Sequence, residues 1–138
     1  MTVQFESYHT LGLIYSKDLK HVLLHQSSNG LIDGWFYDNQ KEKIATVDFT
    51  KMIFEKTNLK IDPNQWQIIT SLSNIERKWS TDVYIAVCDF DKDTLPEHCH
   101  VTEVDNISES CRPHLRWLVP LSIDFSILGC TFNQILMK

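Results

Sequence analysis

The segment Asp82–Phe90 constrains the fold most, because almost every residue in it is apolar. An unbroken apolar run of this length, rich in β-branched and aromatic side chains, is typical of a strand buried on both faces. Such a strand needs packed layers on both sides of its sheet. The chain has 138 residues, of which 43% are hydrophobic, enough for one core of this kind.

Four further segments have the composition of short strands: Tyr8–Tyr15, His21–His25, Trp66–Leu72 and His100–Val104. The first two are separated only by the turn residues Ser16–Asp18, which predicts a hairpin. Turn residues recur in Ser27–Gly30 and Asp33–Gly34. They predict a loop there, and the aromatic cluster Trp35–Tyr37 is expected to lie in it.

The segment Ile44–Lys56 has the apolar spacing of a helix, at Ala45, Phe49, Met52 and Ile53. Asn58 follows it and is suited to a left-handed cap. Near the other end of the sequence, Leu115–Leu121 is predicted to be a strand that ends at Pro120, with Trp117 in the core. A C-terminal helix is predicted after it from six apolar residues at helical spacing: Ile123, Ile127, Leu128, Phe132, Ile135 and Leu136. The order of elements predicts a mixed α/β sandwich formed by a single domain, residues 1–138.

Charge and hydropathy exclude several classes of protein. The net charge is −5, which argues against nucleic acid as a partner. No apolar run approaches the ~20 residues of a membrane span. The first residues lack the features of a signal peptide, so we expect a cytoplasmic protein with its four cysteines reduced.

Three stretches together resemble the Nudix family, in particular small bacterial and phage pyrophosphatases of oxidised nucleotides. Gly12–Gln26 is similar to the opening hairpin of that family, and Asn29–Asp38 to the loop that leads into its central helix. Leu115–Phe125 is similar to its closing strand and the start of its last helix. The resemblance implies a Nudix-type α/β/α sandwich with a mixed sheet, a central helix and a C-terminal helix. For a phage-encoded chain, the expected location is the host cytoplasm.

The Nudix box has the pattern G-x5-E-x7-R-E-U-x-E-E-x-G-U, where U is a bulky aliphatic residue. With Leu59 as the last aliphatic and Asn58 as the glycine before it, the box aligns without gaps, and Ile53 is the middle aliphatic. The other defined positions of the box, from the first glycine to the last glutamate, hold Tyr37, Lys43, Lys51, Met52, Glu55 and Lys56.

These substitutions remove the chemistry that the resemblance would otherwise imply. In the family, three carboxylates of the central helix hold Mg²⁺ or Mn²⁺, and hard cations need several oxygen ligands. Here Met52 and Lys56 replace two of them, and Glu55 is the residual carboxylate. Bulky Phe36 and Tyr37 also replace glycines of the loop. We therefore expect no catalytic residues, no metal and no cofactor.

Lysines at three box positions suggest a different use of the site. Lys43, Lys51 and Lys56 could hold phosphate groups directly, without a bridging metal. A solvated helix face is the alternative interpretation, because charged side chains are mostly exposed.

The loop before the box predicts a pocket for a base. Asp33 occupies the place of a base-reading Asn in similar purine-nucleotide enzymes, although Asp-Gly is also a common turn. Aromatic side chains could stack on a base or serve as packing residues. The candidates are Trp35, Phe36, Tyr37, Trp79 and Trp117.

The first hypothesis is therefore an inactive domain that binds a nucleotide or a related phosphorylated ligand. A second is an interaction module with a closed pocket that contacts a protein partner or a second copy of the chain. A third is a divergent metal-dependent hydrolase that uses other acids, drawn from Asp38, Glu42, Glu55, Glu97 and Glu103. A zinc site is a further alternative, with four potential ligands: His98, His100, Cys111 and His114.

Overall fold

The computed structural model describes the backbone of residues 5–128 and the side chains of these residues except 38–40 and 125–128. This part of the chain forms seven strands, two α-helices and one short 3-10 helix. In chain order they are β1 Ser7–Tyr15, β2 His21–Gln26, β3 Ile32–Asp33, β4 Trp35–Gln40, α1 Thr46–Thr57, the 3-10 helix Pro63–Gln65, β5 Gln67–Asn74, β6 Trp79–Val87, β7 Cys99–Glu103 and α2 Leu115–Leu128.

Strand β1 is the centre of a mixed sheet. Along its whole length it pairs in parallel with β6, from Ser7 opposite Trp79 to Tyr15 opposite Val87. Its other edge pairs antiparallel with β4 and, near Tyr15, with β2. Strand β5 extends the sheet beyond β6, whereas β3 and β7 both pair with β2. The predicted hairpin of β1 and β2 is confirmed.

The two faces of the sheet carry separate apolar cores, because successive side chains of a strand point to opposite faces. On one face, Leu11 and Leu13 of β1 pack with Leu115 and Leu118 of α2. On the other face, Ile14 packs with buried residues of α1 and the neighbouring segments. The structure is therefore an α/β/α sandwich, as predicted, and β6 is buried on both faces.

Helix α1 confirms the predicted central helix to within two residues at each end. It ends at Thr57 because Asn58 adopts a left-handed conformation, with φ of 62°, and donates its N–H to the carbonyl of Phe54 at 2.8 Å. The helix lies close to β1 at Gly12, where a Cβ atom would lie 2.8 Å from the ring of Phe49.

The predicted strand Leu115–Leu121 is wrong, because this segment forms the first half of α2. Its buried residues follow the helical spacing i, i+3, i+4 and i+7: Leu115, Leu118, Val119 and Ser122. Pro120 lies on the exposed side, where the loss of one helical hydrogen bond is tolerated. Trp117, predicted to lie in the core, is 49% exposed.

The predicted loop at Trp35–Tyr37 is also wrong. These residues begin β4, and they pair with β1 at Gly12, Leu11 and Thr10 respectively. The pairing provides hydrogen-bond partners for backbone N–H and C=O groups that would face solvent in a loop. Of the predicted C-terminal helix, Ile123 lies within α2, and so do Ile127 and Leu128 by their backbone. The remaining residues of that prediction lie outside the described residues: Phe132, Ile135 and Leu136.

The cysteines of the described part of the chain, Cys88, Cys99 and Cys111, are free. Burial raises the pKa of the Cys88 and Cys99 thiols, which keeps both protonated at neutral pH.

Neither described helix is long and apolar enough to cross a membrane.

Candidate functional site

A cleft of about 560 Å³ opens on the face of the sheet that α2 covers in part. We call it the sheet-face cleft. Strands β1, β4, β5 and β6 form its floor, and the end of β3 and the segment before α2 form its rim. Seven of its lining residues have aromatic or polar side chains that could contact a ligand: His9, Asp33, Phe36, Trp79, Thr81, Arg112 and His114.

Three rings form one wall of the sheet-face cleft. His9 lies between Phe36 and Trp79, with ring centroids 5.2 Å and 6.1 Å away. Neighbouring strands place these side chains side by side on the same face of the sheet. Phe36 is 42% exposed, which is unusual for a phenylalanine in a strand. The wall therefore presents accessible aromatic surface on which a flat ring could stack.

The polar end of the cleft is organised around Asp33. Its Oδ1 accepts hydrogen bonds from the N–H of Gly34 at 2.7 Å and from Nε2 of His114 at 3.1 Å. The Nε of Arg112 lies 3.6 Å from Oδ2. Acceptors and donors thus meet at one side of an otherwise apolar cleft, as in sites that orient a small molecule.

Arg112 and His114 were not predicted from the sequence as partners of Asp33. They lie about eighty positions after Asp33 in the chain, and no local sequence pattern connects them to it. The pairing depends on the backbone of β3, where the carbonyl of Ile32 accepts from the N–H of Arg112 at 2.8 Å. This bond fixes the segment before α2 against the rim of the cleft.

The predicted aromatic cluster is divided between the two faces of the sheet. Phe36 lines the sheet-face cleft, but Trp35 is 1% exposed in the core on the α1 side. The indole N–H of Trp35 donates to the carbonyl of Leu23 at 3.0 Å. Tyr37 packs against the same core. Of the predicted base-pocket residues, the structure therefore brings together Asp33 and Phe36.

The residues of α1 do not fit the metal site that the Nudix resemblance would imply. Met52 is half-buried against the α1-side core, and Glu55 and Lys56 are exposed. A thioether and an ammonium group are not ligands for Mg²⁺. Within the described residues, no three His, Cys, Asp or Glu side chains lie close enough to hold a metal ion. The side chain of Asp38, one of the alternative acids, lies outside the described part of the chain.

The three lysines of the predicted phosphate site have different surroundings. Lys43 forms an ion pair of 3.3 Å with the buried carboxylate of Asp82, which also accepts from Ser71 at 2.5 Å. Lys51 lines a groove on the outer side of α1, together with Glu55. Lys56 lies at the end of α1 that faces two histidines.

These histidines, His25 of β2 and His98 before β7, line a second cleft of about 570 Å³, which we call the histidine cleft. Their ring centroids are 5.6 Å apart. The Nε2 of His98 donates to the backbone carbonyl of Lys56 at 2.7 Å. The pKa of His25 is lowered, first by burial and then by the positive charges of Lys56 and His98.

The predicted zinc ligands are distributed over different parts of the molecule. His98 lies in the histidine cleft, His114 lies beside Asp33 in the sheet-face cleft, and Cys111 is buried in the α2-side core. They form no three-residue cluster among the side chains that the structure describes.

Comparison with solved structures identifies the fold. The C-terminal domain of mouse MUTYH, solved in complex with human PCNA, has a TM-score of 0.65 and 14% identity, over 88% of this chain and 90% of that chain. A NUDIX-family hydrolase from Clostridium perfringens has a TM-score of 0.62 and 11% identity, over 91% and 99%. A structure from a study of MutT from Aliivibrio salmonicida and Vibrio cholerae gives 0.59 and 10%, over 83% and 96%.

The chain therefore has the Nudix fold, as its resemblance to that family implied. Structural similarity at such low sequence identities establishes the fold only. The activity has to be argued from the residues of the site. Neither a protein-family model nor a curated protein matches the sequence.

Proposed function

We propose that this chain is a single, cytoplasmic Nudix-like domain that binds a nucleotide, or a related phosphorylated ligand, and does not hydrolyse it. The observation that carries the proposal is the sheet-face cleft. It combines an exposed aromatic wall, formed by Phe36, His9 and Trp79, with the hydrogen-bonding group of Asp33, Arg112 and His114. A planar heterocycle with polar edges has the complementary chemistry.

The absence of hydrolysis is inferred from the side chains of α1. Pyrophosphate cleavage in the family depends on metal ions that polarise the phosphates and generate hydroxide. Met52 and Lys56 stand where carboxylates would be required, which leaves Glu55 as a single acid beside a cation. Lys56 is suited to attract the phosphates of a ligand instead. A similar role for Lys43 and Lys51 stays a prediction.

Truncation of Phe36 tests the proposal. In a thermal-shift screen without divalent metal, we expect at least one purine nucleotide to raise the melting temperature of the native chain. Phe36→Ala is expected to weaken the binding of that nucleotide by roughly tenfold, because base stacking on one aromatic side chain contributes about 1–3 kcal/mol. The matched control is Phe54→Ala, which removes an equally exposed phenylalanine from the outer side of α1.

Two results would contradict the proposal. One is the absence of any shift with purine and pyrimidine nucleotides, dinucleotides and ADP-ribose. The other is a shift that occurs but is unchanged by Phe36→Ala, since the ligand would then bind away from the sheet-face cleft.

Protein binding is the second candidate function, and a specific observation favours it. Val47 and Phe54 are 50% and 41% exposed on the outer side of α1, beside a groove of about 420 Å³. Exposed apolar side chains that line one groove are typical of a contact surface. Analytical ultracentrifugation of the native chain and of Val47→Asp measures whether this surface mediates self-association. A native dimer that becomes a monomer on Val47→Asp supports it, and a native monomer argues against it.

A further inference from the structure

The histidine cleft lies where α1 ends, next to the position that a carboxylate would occupy in a metal-dependent relative. Two histidines from different segments line it: His25 from β2 and His98 from the segment before β7. Lys56, at the end of α1, accepts from His98 through its backbone carbonyl, and its charge lowers the pKa of His25. The rings of His25 and His98 both contact the buried ring of Trp35, with centroids 5.3 Å and 6.2 Å away. Because Trp35 belongs to the core, it supports both histidines on a rigid base.

The hydrogen bond of His98 determines what its ring can offer a ligand. A backbone carbonyl only accepts, so Nε2 of His98 must carry a hydrogen and donate it to Lys56. The opposite nitrogen, Nδ1, is then available to an incoming group. It accepts when the ring is neutral and donates when the ring is protonated.

The lowered pKa of His25 reports the electrostatic character of this cleft. Burial and the nearby charges of Lys56 and His98 disfavour a further proton, whereas Asp33 favours one. The positive charges of Lys56 and His98 are the part of this environment that favours an anion, whereas burial disfavours a charge of either sign. Glu97 is an exposed carboxylate on the rim and opposes this tendency.

The histidine cleft adjoins the sheet-face cleft. His25 of β2 and Asp33 of β3 are directly paired across the two strands. Paired residues in an antiparallel ladder have Cα atoms only about 4.5–5.5 Å apart. One of these residues lines the histidine cleft and the other lines the sheet-face cleft. Phe36 and Trp35 lie on opposite faces of β4, so a ligand that uses both clefts has to pass around the ends of β3 and β4 to reach His25.

We propose that His25, His98 and Lys56 form a phosphate-binding subsite that works without a metal ion. This inference rests on the proposed function, because it names the groups that would hold the phosphates of a ligand whose base lies in the sheet-face cleft. In this arrangement, protonated imidazoles and an ammonium group neutralise the phosphate oxygens, a role that Mg²⁺ has in metal-dependent sites.

Inorganic pyrophosphate tests the subsite without the base. In calorimetric titrations at pH 6.5 with EDTA present, we expect pyrophosphate to bind the native chain. We expect pyrophosphate binding to weaken by about tenfold in each of three variants, since charge-assisted hydrogen bonds are lost: His25→Gln, His98→Gln and Lys56→Gln. Glu97→Gln is expected to strengthen binding, because it removes the opposing charge at an exposed position where folding is not at risk.

Matched controls come from the same elements. His21→Gln removes a histidine at the other end of β2, and Lys60→Gln removes an exposed lysine just beyond α1. Both are expected to leave pyrophosphate binding unchanged. Urea denaturation of each variant shows whether a loss of binding comes from loss of the folded state.

The subsite also has an expected pH dependence. A bound phosphate favours the protonated form of both imidazole rings, so binding takes up protons and tightens as the pH falls from about 8 to about 6. The doubly substituted variant His25→Gln/His98→Gln is expected to lose this dependence, apart from the part due to titration of pyrophosphate itself. Lys56, Asp33 and Glu97 are the other charged groups near the two rings.

The inference is overturned if pyrophosphate does not bind in EDTA, or if it binds equally well to all three substituted variants. An unphosphorylated purine nucleoside separates this failure from failure of the proposed function. If the nucleoside binds and Phe36→Ala weakens it, the base site stands and only the phosphate subsite is contradicted. If neither the nucleoside nor any nucleotide binds, the proposed function fails as well.

Discussion

Replacing Trp35 with alanine is expected to lower the free energy of unfolding by about 3–5 kcal/mol, which is the range for a large aromatic side chain removed from a core. Trp35 is 1% exposed, and its indole N–H donates to the carbonyl of Leu23. The substitution leaves a cavity between β4 and α1 and leaves that carbonyl without its partner. Urea denaturation monitored by circular dichroism measures the change.

Its neighbour Phe36 supplies the control. It has a similar ring but lies on the opposite face of β4, 42% exposed in the sheet-face cleft. Phe36→Ala is expected to lower the free energy of unfolding by less than about 1 kcal/mol, because much of its side chain stays exposed in the folded protein. Equal destabilisation by both substitutions would contradict the placement of the two rings on opposite faces of β4.

Leu118→Ala is expected to destabilise the protein by about 2–5 kcal/mol. Leu118 is completely buried where α2 packs on the sheet, among Leu115, Val119 and the apolar residues of β1. Chemical denaturation again provides the measurement, and an unchanged m-value would show that the denatured state is not altered.

The adjacent Trp117 distinguishes a helix from a strand in this segment. As a residue of α2 it is 49% exposed, so Trp117→Ala is expected to change the free energy of unfolding by less than about 1 kcal/mol. A large loss of stability on Trp117→Ala, with little effect of Leu118→Ala, would support the strand that the sequence pattern predicts and contradict α2.

The segment Leu115–Leu121 shows where sequence patterns are insufficient. A short apolar run has no clear period, so helix and strand are difficult to separate, and Pro120 is compatible with the end of a strand. In the fold, the proline lies on the exposed side of a helix whose other side is buried. That distinction depends on tertiary packing, which the local pattern does not contain. By contrast, α1 and β6 are predictable because their apolar patterns are long, although β6, at Trp79–Val87, begins and ends three residues earlier than the predicted strand Asp82–Phe90.

The candidate site is predictable from the sequence only in part. Asp33 and Phe36 are identified through the family resemblance, and both line the sheet-face cleft. The pairing of Asp33 with His114 joins residues that are 81 positions apart, and it depends on where α2 begins. The histidine cleft has no sequence signature for the same reason, since His25 and His98 meet only after β2 and β7 pair.

Binding of a nucleotide without its hydrolysis is tested most directly by phosphorus NMR of a purine nucleoside triphosphate mixed with the protein and Mg²⁺. We expect the phosphate resonances to shift or broaden, in EDTA as well as in Mg²⁺, and no new resonances to appear. The contrary result is metal-dependent appearance of nucleoside monophosphate and pyrophosphate, lost on substitution of the residual carboxylate in Glu55→Gln. That result would contradict the proposed function and identify the chain as a divergent hydrolase.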